Sequence, residues 1–198
     1  VARQTITRLG EPILRQRAVE LEASALSTSR IRHLVDDMVD TMRAVGGVGL
    51  AAPQIGESLR LVVVEVRDNE RYPEFPKFPL RVLANPVVTP ESAGSPVRPE
   101  DSISIYEGCL SIPGIRARVT RPRRVRVQAL RADGATLDEF WEGAAAAIIQ
   151  HEVDHLDGKL IVDRADLETL CFEEEYRKHV PDAARVVDGH APTKPRSL

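Results

Sequence analysis

Residues 144–156 read Ala-Ala-Ala-Ala-Ile-Ile-Gln-His-Glu-Val-Asp-His-Leu. The segment has little surface polarity before Gln150, so it reads as a buried helix that Asp157-Gly158 ends. A helix without a wet face has to be covered by other elements. It also carries His151-Glu152-Val153-Asp154-His155. Residues four apart share one helix face, so the two imidazoles can hold a single ion while Glu152 projects beside them toward a water.

A catalytic site of this kind takes three protein ligands and leaves a position open. The downstream candidates for the third ligand are Asp157, Asp163, Asp166, Glu168 and His179, none of them in the extended pattern with a third histidine that some zinc proteases use. The upstream candidate is Cys109, in Glu107-Gly108-Cys109-Leu110-Ser111. A thiolate completes the set well, and the ion itself would keep it deprotonated. The other cysteine, Cys171, lies between Leu170 and Phe172 and reads as a core or surface thiol. A Cys/His₂ set suits Zn²⁺, Fe²⁺, Co²⁺ or Ni²⁺.

The rest of the chain supplies the cover. Residues 27–45 form a helix with Ile31, Leu34, Val35, Met38, Val39 and Met42 on one stripe, capped by Ser27 or Ser29 and ended by Gly46-Gly47. Residues 60–66 and 81–88 are strands, with Pro86 marking an edge or a bend. Residues 69–80 and 89–101 read as loops. Residues 123–130 alternate polar and apolar, and Asp133-Gly134 turns them into a return strand at 135–141. A charged helix is expected at 165–179. This pattern predicts an α+β domain, with mixed or antiparallel β-sheets around a central buried helix that carries the His-Glu-x-x-His motif. The catalytic domain is expected to span 1–180, and 181–198, with three prolines and no apolar pattern, to be a loosely ordered tail.

Composition narrows the setting. The chain has 198 residues, a net charge of −3 and two cysteines. That balance calls for neither nucleic acid nor a membrane surface, and two cysteines are a poor framework for a secreted disulfide fold. Val1-Ala2-Arg3-Gln4 lacks the apolar core of a secretory signal, so a cytoplasmic setting is expected. The stretch 116–126 holds six arginines, at 116, 118, 121, 123, 124 and 126. Because they alternate with valines, they read first as a solvated strand face; a transient ribosome contact is the second reading.

Three segments in order, Gly47-Val48-Gly49-Leu50-Ala51-Ala52-Pro53-Gln54, then Glu107-Gly108-Cys109-Leu110-Ser111, then Gln150-His151-Glu152-Val153-Asp154-His155, resemble the motifs of peptide deformylases. With Arg8–Arg15, the resemblance covers roughly residues 6–165. It implies that Cys109, His151 and His155 bind the metal, with Fe²⁺ a common native ion, often replaced by Zn²⁺ or Ni²⁺ on purification. It implies Glu152 as general base and later general acid, and the Gln54 amide and Leu110 N–H as oxyanion donors. Gly49 would lie close to the substrate backbone, and Arg116 would match a substrate-side arginine. The implied reaction removes the formyl group from N-formylmethionyl peptides of nascent proteins and releases formate.

Val48, Glu107, Ala144, Ala147 and Ile148 complete the expected substrate surroundings, although Glu107 also reads as a structural partner for an arginine such as Arg121. The family usually has larger aliphatics at the 144 and 147 positions. Two alanines there predict a wider pocket, or one filled by Ile148, Tyr106 or an aromatic of the 70–80 loop, and an altered preference for methionine. The alternatives are a related hydrolase of another small formamide, a catalytically silent metal-binding homologue, and a zinc endopeptidase.

Overall fold

The computed structural model describes residues 3–67, 72–73, 75–91 and 98–189. It contains two antiparallel sheets. The five-stranded sheet comprises β1 (Gly49–Ala51), β2 (Leu61–Val66), β3 (Phe78–Pro90), β6 (Arg124–Arg131) and β7 (Thr136–Glu142), in the order β1-β2-β3-β6-β7. The four-stranded sheet comprises β4 (Ser102–Cys109), β5 (Ile112–Pro122), β8 (Asp166–Phe172) and β9 (Val186–Asp188), in the order β8-β5-β4-β9. Helix α1 is Ser29–Ala44, α2 is Gly143–Leu156, α3 is Glu173–His179 and α4 is Asp182–Arg185.

The buried helix is where its sequence requires it to be. Ala146, Ala147, Ile148, Ile149 and Leu156 of α2 join Val62 and Val64 of β2, Val125 and Val127 of β6, and Ile103 and Ile105 of β4 in one core. Helix α2 is therefore packed against both sheets. On the other face of the larger sheet, Met38 and Met42 of α1 pack with Leu61 and Val63 of β2. Covering β2 on both faces explains its unbroken run Leu-Val-Val-Val. The cap of α1 is Thr28, whose hydroxyl accepts from Ile31 N at 3.4 Å, in place of the serines on either side.

Several expectations change. Strand β3 is longer than 81–88 and lies inside the sheet. Pro86 is tolerated there because the register shifts between Ala84 and Val87, with Asn85 in the left-handed region at φ 50°. The helix expected at 165–179 begins only at Glu173. Residues 166–172 instead pair with β5, Ile115 opposite Phe172 and Arg116 opposite Cys171, and Thr169 Oγ1 accepts from Arg118 N at 2.8 Å. A sheet edge next to this segment overrides its helical charge pattern. The stretch 181–198 is expected to be a loosely ordered tail. Within its described part, α4 leads into β9, which pairs with Ile103–Ile105 of β4; residues 190–198 lie outside the described residues.

Among the described residues no helix is long and apolar enough to cross a membrane.

Candidate metal centre

Strand β4 alternates in burial, so Ile103, Ile105, Glu107 and Cys109 share its inward face. That face meets the histidine stripe of α2. Cys109 Sγ lies 3.3 Å from His155 Nε2, and His155 Nε2 lies 3.2 Å from His151 Nε2. The three ligand atoms fall within 4.8 Å of one another. One soft thiolate and two imidazoles, all converging, fit a divalent transition ion with a position to spare. None of the downstream acids joins this group.

The surroundings support the set. His151 Nδ1 is 2.8 Å from a Glu107 oxygen, which fixes the ring so that Nε2 faces its partners. Glu107 is gripped in turn by Arg121, at 2.6 and 3.0 Å, and Arg121 also donates to Asp154 at 2.8 Å. Arg164 donates to the other oxygen of Asp154 at 2.8 Å. The acid read as a partner for Arg121 is that partner, and it also orients a ligand. Burial would raise its pKa, but Arg121 and His151 hold it at about 2. Burial likewise opposes charge on Cys109, yet His155 and His151 outweigh it and hold the thiol well below its usual range.

Gln54 sits in a 3-10 turn, Ala52–Ile55, directly after β1. Its Oε1 accepts from Ala51 N at 2.9 Å, which turns the amide N–H₂ inward, 3.8 Å from Cys109 Sγ and 3.4 Å from Ser111 Oγ. Glu152 is buried and pushed by that burial to about 7. Its Oε2 has no hydrogen-bond partner among the described residues. Gly49 lies against it: a Cβ on Gly49 would fall 2.2 Å from Glu152 Oε1. The glycine keeps room for this carboxylate, a role for which its position in the motif gave no separate sign.

A pocket opens over these groups, lined by Val48, Gly49, Gln54, Leu110, Glu107, Ala147, Ile148, His151 and Glu152. Ile105, Gly108, Tyr72 and Phe75 also line it. Ala144 does not, although it packs against the same core. Tyr106 is likewise outside the lining; its ring lies tilted against Tyr176, with centroids 5.4 Å apart. Ile105 reaches the pocket because burial alternates along β4. Tyr72 and Phe75 were visible only as unspecified aromatics of a loop.

Arg116 departs most from expectation. It is fully buried and absent from the pocket wall, bonded to Glu173 at 2.6 and 3.2 Å. Nor is the arginine run simply a wet face. Arg121 is buried too, Arg123 pairs with Asp188, Arg124 with Glu91, and Arg126 with Asp138. These carboxylates neutralise much of what would otherwise be a basic patch.

Residues 3–170 match the family model described as polypeptide deformylase. A peptide deformylase of Leptospira biflexa is 41% identical over 189 residues, covering 95% of this chain and 100% of that protein. One from Dictyoglomus thermophilum is 42% identical over 170 residues, covering 86% and 97%. Among solved structures, a class I type b peptide deformylase from Acinetobacter baumannii bound to Met-Ala-Ser superposes with a TM-score of 0.76 at 36% identity, covering 82% of this chain and 98% of that one. The deformylase of Thermotoga maritima gives 0.69 at 32% identity, covering 84% and 99%. With its fold, its Cys/His/His group and these relatives in agreement, the chain belongs to the peptide deformylase family of metal-dependent amidohydrolases.

Proposed function

We propose that the pocket takes the N-terminal residue of an N-formylmethionyl peptide and that Glu152 is the general base and acid of its deformylation. The observation that carries this reading is the Glu152 carboxylate. It is buried, lines the pocket, is next in sequence to a ligand, and has one oxygen without a partner among the described residues. A purely structural metal site has no use for such a group.

Cys109, His151 and His155 would hold the ion, with Fe²⁺ as the native metal. When bound, the ion supplies Lewis-acid polarisation of the formyl oxygen and a lowered pKa for the attacking water. The work of the chain's own residues follows from their positions. Glu152 takes a proton from the water as its oxygen bonds to the formyl carbon. The carbonyl electrons move onto the formyl oxygen, where the Gln54 N–H₂ and the Leu110 N–H are donors. A preorganised donor of this kind is worth on the order of 3 kcal/mol. Glu152 then delivers the proton to the amide nitrogen, the C–N bond breaks as the oxyanion electrons re-form the carbonyl, and the remaining acid proton passes to the freed amine, so that formate and an ammonium group leave. Val48 and Gly49 offer backbone to the peptide, and Ala147 and Ile148 offer an apolar wall to its first side chain.

The bound Met-Ala-Ser of the Acinetobacter baumannii relative supports a methionyl peptide as the ligand. On this reading the reaction takes place in the cytoplasm, on nascent chains, and any contact with the ribosome is transient. The test is formate release from formyl-Met-Ala by protein purified without air, for wild type and Glu152→Ala, with metal content measured on both. Wild-type turnover, with a metal-loaded and inactive variant, is the expected result. Tight metal with no formate from either protein would reject the proposal in favour of another formamide or a silent homologue.

A further inference from the structure

Ala147 gives the pocket only a methyl from α2, and two aromatic rings, Tyr72 and Phe75, line the same pocket. Their rings stack with centroids 4.7 Å apart and planes 15° from parallel. Both are buried, and both line the pocket. Tyr72 is held at two further points. Its hydroxyl accepts from Gly108 N at 3.1 Å, beside the ligand Cys109, and its ring lies 4.5 Å under the Arg116 guanidinium.

Arg116 itself has little freedom. It is sandwiched by a second ring, Tyr176 at 4.9 Å, donates to Tyr106 O at 3.1 Å, and is paired with Glu173. A buried guanidinium cannot leave its carboxylate without a large penalty, so the cation is a fixed backing for the Tyr72 ring. The pocket wall is thus continuous with α3, which carries Glu173 and Tyr176.

We propose that Tyr72 sets the size of the first side chain the pocket accepts, and that Arg116 and Glu173 act through it as positioning residues. This inference rests on the deformylase reading above. It assigns to Tyr72 and to α3 the selection that larger aliphatics on α2 would otherwise perform. A larger substrate side chain meets a ring that cannot recede.

The test is kcat/KM on formyl-Ala, formyl-Met, formyl-Phe and formyl-Trp dipeptides for wild type, Tyr72→Phe, Tyr72→Ala and Glu173→Ala. A single methylene in an apolar pocket is worth about tenfold or more, so removing the ring should raise the Phe-to-Met ratio by at least about tenfold. Tyr72→Phe keeps the ring and should hold the ratio within about twofold of wild type. Glu173→Ala should move it in the direction of Tyr72→Ala, by about threefold, because the backing loosens while the ring remains. Equal losses on all four substrates in Tyr72→Ala would overturn the assignment. A wild-type ratio in Glu173→Ala would overturn the role of α3. If circular dichroism shows Tyr72→Ala unfolded, Tyr72→Leu is judged by the same ratio. A wild type that releases no formate rejects the deformylase reading and this one with it; an active wild type with an unmoved ratio rejects this one alone.

Discussion

Gly49→Ala is the sharpest probe of the site. The added methyl would lie 2.2 Å from Glu152 Oε1, 2.7 Å from Cδ and 2.9 Å from Cγ. Ordinary contact begins near 3.4 Å, so the carboxylate has to retreat by about 1.2 Å. The backbone cannot give way as easily, because Gly49 is paired with Val64 in the β1–β2 ladder. A misplacement of about 1 Å in a reacting group costs about 10²-fold in rate, which is about 2.7 kcal/mol in the barrier. We expect kcat for formyl-Met-Ala to fall about 100-fold, read by coupling formate release to formate dehydrogenase. Metal content should stay at the wild-type level, since the three atoms nearest the new methyl all belong to Glu152, which is not a ligand. A kcat within threefold of wild type in a metal-loaded protein would refute the reasoning. It would mean that Glu152 has room to move, or that its position does not matter to turnover.

Other outcomes follow from the same geometry. Glu107→Ala removes the orienting contact on His151, so metal affinity measured by competition with a chelator should weaken about 10- to 100-fold. The same change leaves Arg121 buried with Asp154 as its one carboxylate partner among the described residues, and urea unfolding should show a loss of about 3 kcal/mol. Glu152→Gln should keep its metal and lose about 10²- to 10⁴-fold in kcat. Cys109→Ala should lose bound metal on dialysis, whereas Cys171→Ala, outside the ligand group, should keep both metal and activity. Stripping the ion with a chelator should abolish formate release, and anaerobic Fe²⁺ should restore more of it than Zn²⁺.

The parts of the site that follow short-range rules were legible. His151 and His155 are four apart on a segment too apolar to be anything but a buried helix, and helix geometry alone puts them on one face. The Val62–Val64 run was legible as a strand because covering both faces leaves no polar positions. Glu107 was half legible: an acid beside a ligand, near arginines, has a restricted set of partners, and Arg121 was the one named. What could not be read depended on contacts between distant segments. Leu167, Leu170 and the acids among them suit a helix, and only the free edge of β5 makes them a strand. Arg116 looks like every second arginine in its run, yet it is buried because Glu173, Tyr72 and Tyr176, from two other segments, close around it. No periodicity records such a meeting.

The position of Cys109 on β4 and of both histidines on α2 has a consequence for how the protein matures. Cys109 and His155 are 46 positions apart in sequence, and the hairpin β6–β7 lies between them. A partly folded chain with α2 formed offers an ion two imidazoles; the thiolate arrives only when the smaller sheet docks. Tight capture of the ion thus coincides with completed assembly, and its binding energy is drawn into the stability of the finished domain. A bound ion then marks a molecule whose two sheets have come together.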